Sequence, residues 1–355
     1  MRSATLASAA LALFAAGCGG GGDGTRAVVT GPIVAASPAS ATGTASNAAI
    51  WFHPMPPPSA GSTEPITGSA DFAQLFVAGA AWPKALAQTH VIGLYAGWVT
   101  LASERVLDPI IAFLNANGIA IELEAPSLQA TATCGTNVEG YAPYGTQIDT
   151  FTLGYLNRLK ALGANVAYLK VDEPYWYGHV VAPLSPTTGA CSFTVATVAS
   201  EVASFTQTVH TVYPALEVGD VEPVIAAGYS PDVVTDLGTW HAAYAAANGA
   251  PFPFFIADTD WSNPVWPTLD ASLESATHAQ GMRFGIIYIG DLTDTTDAAW
   301  IGKAAARFNE FQVTNGKKPD FVLFQSWENC PQHALPESNP NTFTGLLDSY
   351  IAAGL

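Results

Sequence analysis

Residues 166–174 read VAYLKVDEP, an almost continuous apolar run that ends in two adjacent carboxylates and a proline. Seven further runs share this β-rich texture, and helix-like segments lie between them. Strands that are apolar on both faces and alternate with helices are typical of parallel sheets. Eight such units predict an α/β fold with one closed (β/α)8 barrel, a TIM barrel, over residues 47–355. The eight runs cover residues 48–54, 90–98, 119–126, 166–174, 216–223, 254–261, 284–291 and 321–329.

The connections indicate which end of the barrel carries the function. Helix-to-strand links are short, whereas strand-to-helix links are long over residues 127–149 and 175–191. In a (β/α)8 barrel the long loops then lie at the C-terminal ends of the strands, where active sites are built. An open doubly wound sheet is the alternative, but the strand count and the lack of a GxGxxG segment after the first strand disfavour it.

The composition restricts the partners. The chain carries 29 Asp and Glu against 12 Lys and Arg, a net charge of −17, and only 12% of its residues are charged. So few cations cannot form a basic patch, which argues against nucleic acid and anionic membrane surfaces as partners. HExxH, GxSxG and Walker segments are absent from the sequence, so zinc peptidase, serine hydrolase and nucleotide-dependent activities lack their signatures. We expect no cofactor and no resident metal.

The N-terminus predicts export. Residues 1–17 combine an early arginine with an apolar stretch too short to span a bilayer, which is typical of a signal peptide. Ala15-Ala16-Gly17-Cys18 resembles a bacterial lipobox, which implies that Cys18 is lipidated; plain secretion is the alternative. Residues 18–46 are rich in Gly, Ala, Ser and Thr and predict a flexible tether. We expect a monomer that reaches a membrane only through this lipid anchor.

Three cysteines follow the tether. In an exported protein a pair of them is expected to form a disulfide. If the loops after the third and fourth strands are neighbours, the pair is Cys134 and Cys191, and Cys330 stays free.

Acidic residues end six consecutive predicted strands. Side chains alternate along a strand and helices cover the outer face, so acids two residues apart are expected to point together into the barrel mouth. By the same alternation Lys170 shares the face of Asp172. The acids are Glu122 and Glu124, Asp172 and Glu173, Asp220 and Glu222, Asp258 and Asp260, Asp291, and Glu328, on strands three to eight.

Aromatic residues accompany these acids. Flat amphipathic rings beside hydrogen-bonding carboxylates suit a ligand with one apolar face and many hydroxyls, which describes a sugar. We therefore predict a carbohydrate substrate. The residues expected to bind it are Trp98, Glu124, Lys170, Trp176, Asp258, Asp260, Trp261, Trp327 and Glu328.

Short motifs resemble three kinds of (β/α)8 glycoside hydrolase. Asp172-Glu173-Pro174 resembles the Asn-Glu-Pro of the large retaining superfamily, which implies Glu173 as acid/base and Trp327 as its sugar-stacking residue; Asp291 stands where that superfamily has a nucleophilic Glu. The Asp-Glu pair is also similar to hexosaminidase-like barrels, where Asp172 would orient an acetamido group. YLKVD (168–172) is similar to α-galactosidase-type barrels, which implies Asp172 as nucleophile and Asp258 or Asp260 as acid. Segments such as GDVEP resemble uncharacterised exported bacterial proteins.

These observations together predict an exported glycoside hydrolase with Glu173 as the general acid. Glycoside hydrolysis needs one protonated and one ionised carboxyl group beside the scissile bond, and crowded acids have separated pKa values. Glu222 on the adjacent strand is the preferred partner, followed by Asp291 and then by Asp258 or Asp260. A non-catalytic polysaccharide-binding barrel and a divalent-metal-dependent lyase or isomerase are the alternatives.

Overall fold

The computed structural model describes residues 48–57, 68–225, 228–229 and 231–355. The predicted signal peptide, Cys18 and the tether lie outside these ranges, so export and lipidation stay predictions. Within the described ranges, no helix combines the length and the apolarity needed to cross a bilayer.

Eight parallel strands form a closed barrel in chain order, with the first strand paired to the last. The predicted (β/α)8 barrel is therefore confirmed. Each predicted strand is present, but several end earlier than expected because the chain leaves the sheet sooner. The strands are β1 (Ala49–His53), β2 (Thr89–Leu94), β3 (Ala120–Ala125), β4 (Val166–Asp172), β5 (Glu217–Val224), β6 (Phe254–Thr259), β7 (Arg283–Tyr288) and β8 (Phe321–Gln325).

Helices surround the strands. Local sequence fixes their ends: for example, Asp232 accepts a hydrogen bond from the backbone N–H of Thr235 at the start of one helix, and Gly249 ends it with a φ of 82°. The helices are α1 (Pro83–Gln88), α2 (Ala96–Leu101), α3 (Glu104–Ala116), α4 (Ile148–Ala161), α5 (Val181–Leu184), α6 (Val195–Val212), α7 (Val233–Asn248), α8 (Trp266–Ala279), α9 (Asp297–Phe308) and α10 (Phe343–Ala352). Shorter 3-10 turns span Phe72–Phe76 and Pro186–Thr188, and π-helical turns span Trp176–Val180 and Asn309–Thr314.

Aromatic rings fill the N-terminal half of the barrel interior. The Trp51 ring lies 4.5 Å from that of Tyr168 and 4.4 Å from that of Phe321, between centroids. Since β1 and β4 are not neighbours, the first contact crosses the interior. Gly219 leaves room for this layer, because a Cβ there would lie 2.2 Å from the Phe254 ring. These rings form an apolar floor beneath the polar residues of the barrel mouth.

One disulfide joins the two long loops at the mouth. Cys134 after β3 is bonded to Cys191 after β4, with Cα atoms 5.1 Å apart. The predicted pairing is confirmed, and Cys330 is free and buried.

Candidate active site

A buried lysine organises the polar residues above the aromatic floor. Lys170 on β4 donates to Gln325 on β8 at 2.7 Å and forms an ion pair with Glu124 on β3 at 2.9 Å. Burial lowers the pKa of Lys170, but the carboxylates of Glu124 and Glu122 outweigh burial and raise it above its ordinary value. Lys170 is therefore a positive charge inside the barrel. Its predicted inward direction is confirmed.

Glu122 lies deeper than Glu124 and faces His53. Its Oε2 is 3.4 Å from His53 Nδ1, and both side chains are almost fully buried. Burial raises the pKa of Glu122 to about 7, although Lys170 lowers it. Burial lowers the pKa of His53 well below its ordinary value, with a further contribution from Lys170. The imidazole is therefore neutral at physiological pH.

Glu173 follows β4 in an unusual backbone conformation. Its φ is 45°, in the left-handed region of backbone conformation that residues other than glycine rarely adopt. The turn is held by hydrogen bonds from the Glu173 N–H to the Val221 carbonyl and from the Tyr177 N–H to the Glu173 carbonyl, each 3.0 Å. Strained residues that the surrounding structure holds in place are concentrated at active sites. Here the strain lies at the residue that the sequence predicts as the general acid.

Asp258 on β6 lies near enough to Glu173 for each carboxyl to affect the pKa of the other. Burial raises the pKa of Glu173 well above its ordinary value, and the nearby carboxyls of Glu139 and Asp258 raise it further. Burial also raises the pKa of Asp258, to about 7, but Lys170 acts against this rise. Two neighbouring buried carboxyls cannot both be ionised without a large cost, which favours one proton shared between them. Lys170 favours Asp258 as the ionised member.

Asp172 and Asp260 lie close to this pair. Burial raises the pKa of Asp172 well above its ordinary value, with Glu124 as the next cause, so Asp172 belongs to the same cluster. Asp260 is near enough to Asp258 to raise its pKa, while its own carboxylate accepts hydrogen bonds from Ser262. The structure thus brings together predicted acids from β3, β4 and β6.

The prediction that Asp220 and Glu222 point into the barrel mouth is wrong. Asp220 Oδ2 lies 2.9 Å from both Trp240 Nε1 and His241 Nε2, on helix α7 outside the barrel. In the β4–β5 register the inward Lys170 is paired with Gly219, so the acid that follows it faces the helices. The acids alternate as predicted, but on the opposite face.

Glu222 instead supports the turn that carries Glu173. Its two carboxylate oxygens accept the backbone N–H groups of Tyr175 at 2.6 Å and Trp176 at 2.9 Å, and its side chain is fully buried. These are unpaired donors at the start of a helical segment, where a carboxylate is the favoured partner. Both oxygens are occupied away from the mouth, so we do not retain Glu222 as the partner of Glu173.

Asp291 and Glu328 form a separate cluster over β7 and β8. Asp291 is ion-paired with Lys303 and Arg307 of α9, and Glu328 accepts a hydrogen bond from Trp300 of the same helix. Partial burial raises the pKa of Asp291, but hydrogen bonds from Lys303 and Arg307 outweigh it and hold the pKa below its ordinary value. Both acids lie beyond the ends of their strands, so the alternation rule did not apply to them. Neither is placed beside Glu173.

The four tryptophans predicted to bind the sugar differ in their surroundings. Trp98 lies on α2 against Phe72, and Trp176 is buried against Tyr229, which leaves Trp176 little surface for a ligand. Trp261 packs edge-on against Trp266 and carries the Arg307 guanidinium 5.0 Å from its ring centre. Trp327 is partly buried after β8. Trp98, Trp261 and Trp327 each keep some exposed surface.

Glu139 belongs to the same cluster but was not predicted from the sequence. It lies in the loop between β3 and α4, and its Oε2 accepts a hydrogen bond from the Tyr177 hydroxyl at 2.9 Å. Burial raises the pKa of Glu139 to about 7, followed by the effects of Glu124 and Asp258. Side chains in a loop do not alternate between two faces, so the sequence did not predict where the Glu139 side chain points. The available signal was that Glu139 lies close in sequence to Cys134, whose disulfide partner lies after β4.

The part of the chain that the structure describes contains no group of three or more His, Cys, Asp and Glu side chains that could hold a metal ion. The carboxyls at the mouth are instead arranged around Lys170, Tyr177 and one another. Such an arrangement can donate a proton from one carboxyl and present a second one as an anion.

The fold and the site together define a (β/α)8 barrel with an acidic, partly exposed mouth. No protein-family model matches the chain, and no curated protein matches it. Among solved structures it is similar to the catalytic domain of β-amylase from Paenibacillus polymyxa, with 8% identity, 79% of this chain and 93% of that chain covered, and a TM-score of 0.43. It is also similar to D-psicose 3-epimerase from Clostridium cellulolyticum H10, with 11% identity, coverages of 81% and 93%, and a TM-score of 0.42.

A third similar structure is the HpcH/HpaI aldolase from Desulfitobacterium hafniense DCB-2, with 12% identity, coverages of 79% and 86%, and a TM-score of 0.36. These three structures belong to three different kinds of enzyme. Similarity at this level carries no argument about the chemistry of the present site, because one barrel fold supports many unrelated reactions.

Proposed function

We propose that the protein is a glycoside hydrolase that acts on a carbohydrate outside the cytoplasm, with Glu173 as general acid and Asp258 as its ionised partner. The observation that carries the proposal is the strained turn that places Glu173 in the buried carboxyl cluster around Lys170, with Asp258 as a neighbouring acid. Glycoside hydrolysis needs one protonated and one ionised carboxyl group. Two acids that share a proton, with Lys170 beside the second, supply both forms.

The proximity of Glu173 and Asp258 favours a retaining reaction. Retaining enzymes have carboxyls about 5 to 5.5 Å apart, whereas inverting enzymes keep about 6.5 to 9.5 Å for a water. We place Glu173 and Asp258 in the short class as part of the proposal, since the two carboxyls lie near enough to affect the pKa of each other. Asp258 then attacks the anomeric carbon while Glu173 protonates the departing oxygen, and the glycosyl–Asp258 ester forms as the glycosidic bond breaks. Glu173 next removes a proton from water, which hydrolyses the ester and restores Asp258.

Asp172 is the alternative nucleophile. It is a further buried acid of the cluster, and the likeness of YLKVD to α-galactosidase-type barrels implies that role, with Asp258 or Asp260 as the acid. Digestion and mass spectrometry of an enzyme trapped with a fluorinated sugar would identify which aspartate carries the ester.

The experiment that tests the proposal is polysaccharide hydrolysis by wild type, Glu173→Gln and Asp258→Asn. We expect wild type to release oligosaccharides from at least one polysaccharide of a broad panel, and each variant to lose at least about 100-fold in kcat, since acid and nucleophile act only in the transition state. Glu201→Gln is the control, because Glu201 on α6 accepts the Gln129 N–H outside this cluster, and it should keep most of the activity. Full activity in Glu173→Gln would exclude the proposed acid.

Two other functions give different results in the same assay. A non-catalytic carbohydrate-binding barrel would bind a polysaccharide without releasing products. A metal-dependent lyase would lose activity with a chelator, and its products would lack the water that hydrolysis adds. Either result would contradict the proposed glycosidase.

A further inference from the structure

We propose that Glu139 is a positioning residue of the active site, which is joined to Glu173 through Tyr177 and is brought to the site by the loop that the Cys134–Cys191 disulfide fastens. This inference rests on the proposed role of Glu173 as general acid. It adds a third carboxyl from a segment outside the barrel strands, and it gives the disulfide a part in the reaction.

The loop that carries Glu139 lies directly on the turn that carries Glu173. Gly140 has a φ of 79°, and a Cβ at this position would lie 2.7 Å from the carbonyl oxygen of Asp172. The Gly140 carbonyl accepts the N–H groups of Ser127 and Leu128 at 3.1 and 3.0 Å, which closes the loop on itself. The backbone at position 140 is thus in contact with the backbone at the end of β4, and only glycine fits at this position.

Three further bonds hold the two long loops together. The Tyr141 hydroxyl donates to the Tyr177 carbonyl at 3.2 Å and accepts the Cys191 N–H at 3.3 Å. The Gly135 N–H donates to the Gly189 carbonyl at 2.7 Å, one residue beyond Cys134. The disulfide completes this set of contacts. In the chain, Glu139 lies between the contacts of Cys134 and Gly135 and those of Gly140 and Tyr141, so the loop is held on both sides of Glu139.

Glu139 acts on Glu173 through Tyr177 and through its charge. The Tyr177 hydroxyl donates to Glu139, and the Tyr177 N–H donates to the Glu173 carbonyl, so one residue joins both acids. After burial, Glu139 is the largest cause of the raised pKa of Glu173. A nearby negative charge disfavours ionisation of a second carboxyl, so the ionised form of Glu139 keeps Glu173 protonated.

The groups that face Glu139 come from every side of the mouth. Tyr177 follows β4, Glu124 comes from β3 and Asp258 from β6, and Lys170 is the cation of this set. Asp172 and Glu173 complete it, because Glu139 raises the pKa of both. Lys170 opposes the rise at Glu139, and the surrounding carboxyls support it. Since the pKa of Glu139 is raised to about 7, its charge increases as neutral pH is passed.

Glu139→Gln tests the inference, because glutamine keeps a carbonyl oxygen for the Tyr177 hydroxyl and removes only the charge. We expect kcat to fall on the order of tenfold with KM nearly unchanged. The alkaline limb of the pH–rate profile should move to lower pH, because Glu173 loses its proton more easily. Glu139→Asp, which keeps the charge, should shift this limb less. A purely structural role would leave both kcat and the profile at wild-type values.

Glu201→Gln is the matched control. Glu201 on α6 holds the same loop, since its Oε2 accepts the Gln129 N–H at 3.3 Å, but it is not among the groups that shift the pKa of Glu173. It should leave the pH profile unchanged. The double variant Cys134→Ser/Cys191→Ser should move the alkaline limb in the same direction as Glu139→Gln, whereas Cys330→Ser should not. A wild-type profile in the double variant would remove the disulfide from the proposal.

A direct titration separates this inference from the proposed function. The Glu173 carboxyl is followed by carbon NMR in glutamate-labelled protein, with Glu173→Gln to assign its signal, and no substrate is required. A lower pKa of Glu173 in Glu139→Gln than in wild type and Glu201→Gln supports the inference even if no polysaccharide is hydrolysed. Equal pKa values in all three proteins would overturn it.

Discussion

At the scale of single residues, the site depends on the strained backbone of Glu173 and on the buried carboxylate that supports it. Glu173 has a φ of 45°, and Glu222 accepts the first two N–H groups of the segment that follows. A strained conformation persists only where its surroundings determine it. Glu222, which the sequence predicted as a catalytic partner, therefore stabilises the turn that carries Glu173.

Glu222→Ala should lower the free energy of unfolding by about 2 to 4 kcal/mol, because two buried N–H groups lose their acceptor. Chemical denaturation measures this loss. Glu222→Gln keeps one oxygen acceptor and should cost clearly less. Activity should fall with stability in Glu222→Ala, since the Glu173 turn is released. Wild-type stability in Glu222→Ala would show that the turn does not need this support.

At the scale of strands and loops, the sequence predicted the barrel but only part of the site. Apolar runs alternating with helices identified all eight strands, and alternation correctly placed Glu124 and Lys170 on one face. On β5, alternation correctly predicted that the two acids share a face, but it did not predict which face. They face the helices, where Trp240 and His241 of α7 are buried partners of Asp220. Such partners depend on tertiary packing, which periodicity does not encode.

Loops limited the prediction further. Asp291 and Glu328 lie past the early ends of β7 and β8, where ion pairs and hydrogen bonds to α9 set their directions. Glu139 lies in a 22-residue connection between Ala125 and Ile148 whose path is determined by the disulfide and by Gly140. The confirmed Cys134–Cys191 pair was thus the one sequence feature that linked this loop to the site.

At the scale of the whole molecule, an acidic chain has placed many of its acids where they are costly to ionise. Burial raises the pKa of Glu122, Glu139 and Asp258 to about 7, from ordinary values of 4.5 and 3.8. A carboxyl whose pKa is raised by folding stabilises the folded state below its unfolded pKa, and this stabilisation is lost as pH rises through the folded pKa. The net charge of −17 adds self-repulsion in the same direction.

Thermal stability should therefore decrease as pH rises from about 4 to about 7, the window between the ordinary and the raised pKa values. Differential scanning calorimetry at about pH 5 and about pH 8 measures the difference. Glu122→Gln, which cannot ionise, should narrow the difference between the two Tm values. A Tm that is higher at the alkaline value would contradict the burial of these carboxyls.

The most direct test of the central claim is the anomeric configuration of the first product, observed by proton NMR during hydrolysis of the polysaccharide that wild type cleaves. The short separation proposed for Glu173 and Asp258 predicts that the released reducing end initially has the same configuration as the cleaved linkage. The opposite configuration would require carboxyls far enough apart to hold a water between them, and it would contradict Glu173 and Asp258 as the catalytic pair.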